Sequence, residues 1–251
     1  MTEITCECIG CEIVKIKDLI RNTIWGANAS GVVIGISGGI DSAVACSLCC
    51  KAVSPERVIG VNMPVASNDP GDHKDAEELC RNLGMELITV PLEEVRAALL
   101  AAPHITDSPV LRGNMAARLR MITLYNIAAA RGYLVCGTSN KTEYMIGYST
   151  KWGDFAADIQ PLLHLWKKDV YLLAKELEIP ESIIKKSPSA GFWEGQSDEG
   201  ELGMSYTELD TALISLEQSG GIAKNDIEKK VLELVKCSGH KRVPAANRLF
   251  H

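Results

Sequence analysis

The most constraining feature of this 251-residue chain is a glycine turn, Ser37-Gly38-Gly39-Ile40-Asp41-Ser42, between an apolar stretch and a helical pattern. The apolar stretch covers residues 31–36, and the helical pattern follows the turn directly. A strand, a glycine turn and a helix in this order point several free backbone N–H groups at one spot, at the positive end of the helix dipole. Glycines let a ligand approach the backbone closely, and the serine hydroxyls add donors. The turn is therefore predicted to hold phosphate groups.

Asp41 adds a further requirement to this turn. A carboxylate beside phosphates is repulsive unless a divalent cation lies between them, so Asp41 indicates a metal–nucleotide complex. The turn lacks the Gly-Lys-Ser/Thr ending of a Walker A loop. It resembles the Ser-Gly-Gly-x-Asp-Ser loop of the ATP pyrophosphatases, which cleave ATP between the α- and β-phosphates and transfer AMP to an acceptor. A tight turn without a ligand would explain the glycines, but it has no use for an aspartate between two serines.

Length and charge favour a cytoplasmic enzyme. A chain of 251 residues can form one large α/β domain with a substantial core. Lys+Arg number 26 against 32 Asp+Glu, a formal net charge of −6, which gives no global attraction to nucleic acid or anionic membrane. The first five residues are acidic where a secretory signal is basic, and no long apolar stretch could span a bilayer. We therefore expect no nucleic-acid and no membrane partner.

Nine cysteines in such a chain are expected to be reduced thiols. Cys6, Cys8 and Cys11 form a C-x-C-x-x-C pattern that could donate three thiolates to a metal, although no fourth ligand stands nearby. Two interpretations stay open: incidental thiols, which we favour, and a metal or cluster site.

Short apolar stretches alternate with longer helical patterns, which predicts a doubly wound parallel sheet with helices on both faces, in one α/β domain over residues 1–251. Strands are predicted at 31–36, 57–63, 86–90 and 133–136. Helices are predicted at 11–27, 42–53, 73–83, 92–101, 113–131, 167–178, 181–186, 205–218 and 223–237. Loops are predicted at 102–112, 147–160 and 187–204, and a basic tail from Ser238 to His251. Asp72 is predicted to cap the helix at 73–83 and Gly84 to end it.

The second half carries an ordered set of motifs. They are Gly113-Asn114-Met115-Ala116-Ala117-Arg118-Leu119-Arg120-Met121, Gly137-Thr138-Ser139-Asn140-Lys141-Thr142-Glu143, Lys151-Trp152-Gly153-Asp154, Ala157-Asp158-Ile159, Leu165-Trp166-Lys167, Pro188-Ser189-Ala190-Gly191-Phe192-Trp193, Gln196-Ser197-Asp198-Glu199 and His240-Lys241-Arg242. In this order and spacing the chain resembles NAD synthetase, the ligase that amidates deamido-NAD, from about residue 12 to 248. The resemblance implies an adenine nucleotide alpha-hydrolase-like fold and a homodimer with the deamido-NAD site at the subunit interface.

The implied reaction is the final step of NAD biosynthesis, in which ammonia and ATP convert deamido-NAD (nicotinate adenine dinucleotide) to NAD, AMP and pyrophosphate. Because O²⁻ is an impossible leaving group, the nicotinate carboxylate first attacks the α-phosphorus and pyrophosphate leaves. Ammonia then displaces AMP from the acyl adenylate. The protein must hold two nucleotides in line and neutralise phosphate charge, and it needs no covalent nucleophile.

The resemblance assigns roles to individual residues, with Asp41 and Lys167 as positioning groups. The residues implied for ATP are Gly35, Ile36, Ser37, Gly38, Gly39, Ile40, Asp41, Ser42, Thr138, Lys167 and Ser189. Those implied for deamido-NAD are Arg118, Lys151, Asp158, His240 and Lys241. Asp41 and Glu143 would share Mg²⁺, which favours one or two carboxylates when phosphates fill its other positions. Lys167 and its neighbour Lys168 are equivalent from sequence alone, and the resemblance selects Lys167.

Arg118 and Arg120 are two positions apart on one predicted helix, so they point about 200° apart and cannot grip the same group. The resemblance gives Arg118 to the substrate, and Arg120 is expected to make a structural ion pair. Three positions depart from the family pattern. Phe155-Ala156 stand where two glycines are usual, and Ser189 stands where a threonine is common.

The nitrogen source follows from the length of the resemblance. Glutamine-using NAD synthetases carry an additional amidohydrolase domain, for which the chain leaves no room. Free ammonia is therefore expected, although a separate glutaminase partner stays open.

The loop at 187–204 is long for a compact domain and is expected to close over bound ATP.

Two alternative functions remain. One is a tRNA-thiolating ATP pyrophosphatase using Cys6, Cys8 and Cys11, which the acidic charge balance and the lack of an RNA-binding appendage disfavour. The other is a non-catalytic nucleotide-binding regulator, which the intact set Asp41, Glu143 and Lys167 disfavours.

Overall fold

The computed structural model describes residues 8–189, 191, 195–245 and 248. Within these residues one parallel sheet is formed by β1 (Val32–Gly35), β2 (Val58–Asn62), β3 (Glu86–Thr89) and β4 (Leu134–Cys136). The strand order is β3-β2-β1-β4, with Val33 of β1 in register with Ile59 of β2 and Val135 of β4. Each predicted strand is confirmed to within one residue at either end.

The helices follow the predicted alternation. They are α1 (Ile9–Gly26), α2 (Ile40–Val53), α3 (Pro70–Leu83), α4 (Glu93–Leu100), α5 (Pro109–Arg131), α6 (Lys141–Ile146), α7 (Lys167–Glu176), α8 (Glu181–Ile184), α9 (Asp198–Leu202), α10 (Tyr206–Gln218) and α11 (Asp226–Cys237). All nine predicted helices are present. The short helices α6 and α9 are additional, so the segment 187–204 is not loop throughout.

Capping explains two of the helix starts that were predicted wrongly. Helix α3 is capped by Asp69, whose side chain accepts a hydrogen bond from the N–H of Gly71, and not by Asp72, which lies inside the first turn. Helix α5 begins at Pro109 because the Ser108 side chain caps it, so the end of the predicted loop 102–112 is helical. Gly84 ends α3 in the left-handed conformation at φ 70°, as predicted.

Side chains of the sheet alternate between two apolar layers. Val32 and Ile34 pack into the layer formed with α1, α2, α3 and α7, whereas Val33 packs into the layer formed with α5. A third cluster joins α10 and α11 to Trp166 beside α6. From β1 the chain adds β2 and β3 on one side of the sheet and then crosses back to add β4 on the other side. The order in which strands are added therefore reverses between β1 and β4. This arrangement confirms the doubly wound fold and places its switch point at the carboxyl ends of β1 and β4.

The described cysteines form no disulfide bond with one another. Cys46, Cys49 and Cys50 pack in the core on α2. Cys8 caps α1 and Cys11 is exposed, whereas Cys6 lies outside the described residues. In the part of the chain that the structure covers, none of the helices combines the length and the apolar character needed to cross a bilayer.

Candidate active site

A cavity of about 490 Å³ opens at the switch point. Every residue predicted to contact ATP lines it except Gly38; these are Gly35, Ile36, Ser37, Gly39, Ile40, Asp41, Ser42, Thr138, Lys167 and Ser189. Glu143 and Lys241 also line it. The fold therefore gathers residues from β1, β4, α6, α7 and the chain after α8 around one volume, where doubly wound proteins bind ligands.

The glycine turn after β1 is stiffened by its own serines. The Ser37 N–H donates to Ser42 Oγ at 3.3 Å, the Gly39 N–H donates to Ser37 Oγ at 3.2 Å, and Ser42 Oγ donates to the Gly39 carbonyl at 2.9 Å. Gly39 is the N-cap of α2 and has no side chain to accept from the first-turn N–H groups. These donors stay open to an anion at the positive end of the helix.

Gly38 holds this turn against α3. Its φ is +82°, and a Cβ atom there would lie 2.4 Å from the carbonyl oxygen of Asp72. Lys186, after α8, reinforces the contact, because its Nζ donates to the Gly38 carbonyl at 3.3 Å and to Asp72 at 2.8 Å, and it also pairs with Asp75. The turn is therefore fixed from outside as well as by its own hydrogen bonds.

Lys167 is the centre of the polar site. Its side chain is only 2% exposed, and its Nζ lies 2.6 Å from Asp41 Oδ2 and 3.1 Å from Glu143 Oε1. The side-chain amide of Asn140 donates to the other Asp41 oxygen at 2.8 Å, and Asn140 also forms a capping box with Glu143 at the start of α6. Lys168 is exposed, so the fold separates two lysines that the sequence leaves equivalent.

The charges of this group follow from burial and pairing. Burial alone would lower the pKa of Lys167, but the two carboxylates outweigh it and raise that pKa, so the ammonium stays charged. Burial raises the pKa of Glu143 to about 7, against the opposing attraction of Lys167 and with a further contribution from Asp41. Two carboxylates thus share one ammonium, so an additional positive charge would stabilise the group.

The pair Asp41 and Glu143 fits a magnesium ion. Both present carboxylate oxygens to the same ammonium beside the open N–H groups of the turn. Mg²⁺ prefers one or two carboxylates and takes its remaining ligands from phosphates and water. Among the described residues no group of three or more His, Cys, Asp or Glu side chains is arranged to hold a metal by itself, which applies also to Cys8 and Cys11.

A tyrosine–carboxylate network extends this group into α9, and sequence reasoning missed it. The Tyr206 ring lies 4.7 Å from Lys167 Nζ, and its hydroxyl donates to Asp198 at 2.9 Å. The Tyr148 hydroxyl lies 3.1 Å from Asp198 and 2.9 Å from Glu201. Burial raises the pKa of both tyrosines, so both hydroxyls remain donors. These contacts attach the segment 187–204 to the Lys167 group.

The residues predicted to contact deamido-NAD do not lie together: three are outside the cavity lining, one lines the cavity, and Asp158 is apart from both. Arg118 is exposed and donates to the Lys151 carbonyl at 3.3 Å, and Lys151 Nζ donates to the His240 carbonyl at 2.7 Å, so these three lie together outside the cavity lining. Lys241 lines the cavity and binds the Gly147 and Ser149 carbonyls at 2.7 and 2.6 Å.

Asp158 is engaged elsewhere. Its carboxylate accepts the Val135 N–H at 2.7 Å and the Tyr125 hydroxyl at 3.3 Å, and it does not line the cavity. Phe155, which replaces a usual glycine, stacks on Tyr144 with ring centroids 5.3 Å apart. The departure from the family pattern therefore adds an aromatic contact next to the cavity.

Arg120 was expected to make a structural ion pair, and that expectation is wrong for the described residues. It lines the cavity, and its guanidinium donates to the Met63 carbonyl at 3.2 Å and to Asn68 Oδ1 at 3.0 Å. Helical spacing separates Arg120 from Arg118, but it does not say which of the two faces the sheet.

A phosphate-binding turn, an open helix N-terminus and a buried ammonium–carboxylate group at the switch point define a nucleotide-binding α/β protein. The sequence matches NAD synthase over residues 12–245. An NH(3)-dependent NAD(+) synthetase of Methanoregula boonei is 48% identical over 241 residues, which cover 96% of this chain and 97% of that protein. The chain belongs to the NAD synthase family, and the predicted family is confirmed.

Solved structures agree with this assignment. An NMN synthetase from Francisella tularensis superposes with a TM-score of 0.88 at 37% identity, covering 97% of this chain and 99% of that one. An NH3-dependent NAD synthetase from Campylobacter jejuni has a TM-score of 0.83 at 30% identity and covers 96% and 99%. The predicted single-domain α/β fold is confirmed by both.

Proposed function

We propose that this member of the NAD synthase family amidates deamido-NAD with free ammonia, using ATP and forming NAD, AMP and pyrophosphate through an acyl adenylate. The observation that carries the proposal is the contact of Lys167 with Asp41 and Glu143 beside the open turn after β1. The full-length match to NH(3)-dependent relatives supports ammonia as the nitrogen donor. A cytoplasmic location remains a prediction.

Each part of the site has a task in this reaction. The open N–H groups of the first turn of α2 bind phosphate oxygens of ATP. Asp41 and Glu143 would hold Mg²⁺, which neutralises phosphate charge when it is bound. Lys167 orients both carboxylates and presents its ammonium to the phosphates, which stabilises the charge that develops as pyrophosphate departs. Tyr206 and Asp198 keep Lys167 in place from the side of α9.

The test is NAD formation from deamido-NAD, ATP and Mg²⁺, with ammonium or glutamine as the nitrogen donor. We expect turnover with ammonium and no turnover with glutamine. AMP and pyrophosphate should each form in an amount equal to that of NAD. Release of AMP without an acceptor, or no turnover with either donor despite ATP binding, would contradict the proposal. The second result would favour a thiolating enzyme or a regulator.

A second acceptor is favoured by one observation. The similar structure from Francisella tularensis is an NMN synthetase, a name that denotes formation of a mononucleotide, and it covers almost all of both chains. Nicotinate mononucleotide carries the same reacting carboxylate without the adenylyl group. Measuring kcat/KM for deamido-NAD and for nicotinate mononucleotide at fixed ATP and ammonium shows which acceptor the enzyme prefers. We expect deamido-NAD to be preferred, and a higher value for the mononucleotide would reassign the substrate.

We also propose that the enzyme works as a homodimer through α5. Leu111, Arg118 and Ile122 share one face of this helix, and Leu111 and Ile122 remain 42% and 58% exposed. Arg118, assigned to deamido-NAD, lies on this face and outside the cavity lining. A second copy of the chain would cover the apolar positions and bring Arg118 against substrate.

Ile122→Glu is therefore expected to convert a dimer of 27.2 kDa chains into monomers, because a charge replaces apolar surface at the interface. Sedimentation velocity measures the change, and deamido-NAD turnover should fall with it. Ile222→Glu is the matched control, since Ile222 is 69% exposed in the connection between α10 and α11. A dimer that survives Ile122→Glu would show that α5 is not the interface.

A further inference from the structure

Four cationic side chains line the cavity: Arg120, Lys167, Lys186 and Lys241. Lys167 is paired with Asp41 and Glu143, and Lys186 is paired with Asp72 and Asp75. In the part of the chain that the structure describes, Arg120 and Lys241 form no ion pair. Lys241 already has a role through the family resemblance, so Arg120 is the cation that the proposed function leaves unexplained.

Arg120 makes its hydrogen bonds to neutral groups, although the Asp154 carboxylate, which also lines the cavity, raises its pKa from beyond ion-pair distance. The Arg120 Nε donates to the Met63 carbonyl and one terminal nitrogen, Nη2, donates to Asn68 Oδ1. The other terminal nitrogen, Nη1, makes no hydrogen bond to any described residue. Burial lowers the pKa of Arg120, but an arginine keeps its charge under all ordinary conditions. Among the described residues no carboxylate forms an ion pair with this half-buried guanidinium, so Nη1 is available to an anionic ligand in the cavity.

We infer that Arg120 binds a phosphate oxyanion of a nucleotide substrate through Nη1. The two hydrogen bonds to Met63 and Asn68 hold the planar guanidinium in one orientation before the ligand arrives, which reduces the entropy lost on binding. The inference rests on the proposed function, because ATP and the pyridine nucleotide are the phosphate compounds that function brings into the cavity. Either can be the source of the oxyanion.

The same contacts give Arg120 a competing structural role. Asn68 also donates to the Gly191 carbonyl at 3.2 Å and accepts the Val65 N–H at 2.9 Å, so Arg120 supports the loop 63–68 that touches the segment 187–204. If Arg120 acts only through this loop, its role depends on the two hydrogen bonds that its planar guanidinium donates. A residue that binds an anion depends mainly on its charge. Salt concentration and the response to lysine distinguish the two roles.

The experiment measures the Kd of ATP with Mg²⁺ and of deamido-NAD separately by calorimetry, for the unmodified chain, Arg120→Gln and Arg120→Lys. A charge-assisted hydrogen bond corresponds to about a 10- to 100-fold change in Kd, so we expect Arg120→Gln to weaken one nucleotide by that factor. Arg120→Lys should retain part of the affinity, and the loss caused by Arg120→Gln should shrink as salt is raised. The nucleotide that weakens identifies the source of the phosphate.

Arg131→Gln is the matched control, because Arg131 ends the same helix, is exposed, and pairs loosely with Glu86 at 3.7 Å. Unchanged affinity of Arg120→Gln for both nucleotides would overturn the inference, as would Arg120→Lys binding as weakly as Arg120→Gln at every salt concentration. A chain that binds nucleotides in an Arg120-dependent way without amidating deamido-NAD would refute the proposed function and uphold this inference. A chain that binds neither nucleotide would refute both.

Discussion

Replacing Lys167 with methionine is expected to lower kcat/KM for NAD formation by about 10²–10³-fold, the range seen when one charge-stabilising donor is removed from an active site. Methionine keeps most of the volume of this buried side chain but removes the ammonium that joins Asp41 to Glu143. The two carboxylates would then repel each other and the phosphates of ATP. Steady-state kinetics with deamido-NAD, ATP and ammonium measures the loss.

Lys168→Met is the control for this substitution. Lys168 is adjacent, has the same chemistry and is exposed, so its replacement should leave kcat/KM within about twofold, as for most surface substitutions. Circular dichroism should show both variants folded. Equal kinetic effects of Lys167→Met and Lys168→Met would mean that the buried ammonium has no role in the reaction, and the proposed site would lose its centre.

Local chemistry made much of the site predictable. The turn from Ser37 to Ser42 is recognisable because every property it needs lies within six consecutive residues between a strand and a helix. Strands β1, β2 and β4 were found because buried parallel strands are short and continuously apolar. Asn140 and Glu143 form a capping box that was present in the sequence and could have predicted α6.

Other parts of the site depend on contacts that sequence spacing does not contain. Tyr206 meets Lys167 across 39 positions through the packing of α10 against α7, and Asp198 reaches Tyr148 across 50 positions, so only the tertiary fold brings these pairs together. Arg120 was misassigned because helical geometry gives the angle between two residues and not the direction of the cavity. The family resemblance selected Lys167, the lysine that the fold buries, where the two neighbouring lysines gave no reason to choose.

Gly38→Ala is the second substitution with a large expected effect. An L-residue in the left-handed region costs about 1–2 kcal/mol of stability, and the φ of Gly38 is +82°. The new Cβ atom would also lie 2.4 Å from the carbonyl oxygen and 2.8 Å from the Cα of Asp72, and neither backbone atom can rotate away. The turn must therefore move off α3, which re-aims the N–H groups that face the phosphates. A displacement of this kind costs about 10²-fold in kcat/KM for ATP.

Gly84→Ala separates backbone strain from displacement of the turn. Gly84 ends α3, the helix against which Gly38 packs, with a φ of +70° and no atom within 4 Å of an added Cβ. Both variants should lose thermal stability, but only Gly38→Ala should lose affinity for ATP, because only there does the added atom displace the phosphate turn. If Gly38→Ala bound ATP as well as Gly84→Ala does, the turn could aim its N–H groups without α3. Its own serine hydrogen bonds would then be sufficient to hold it.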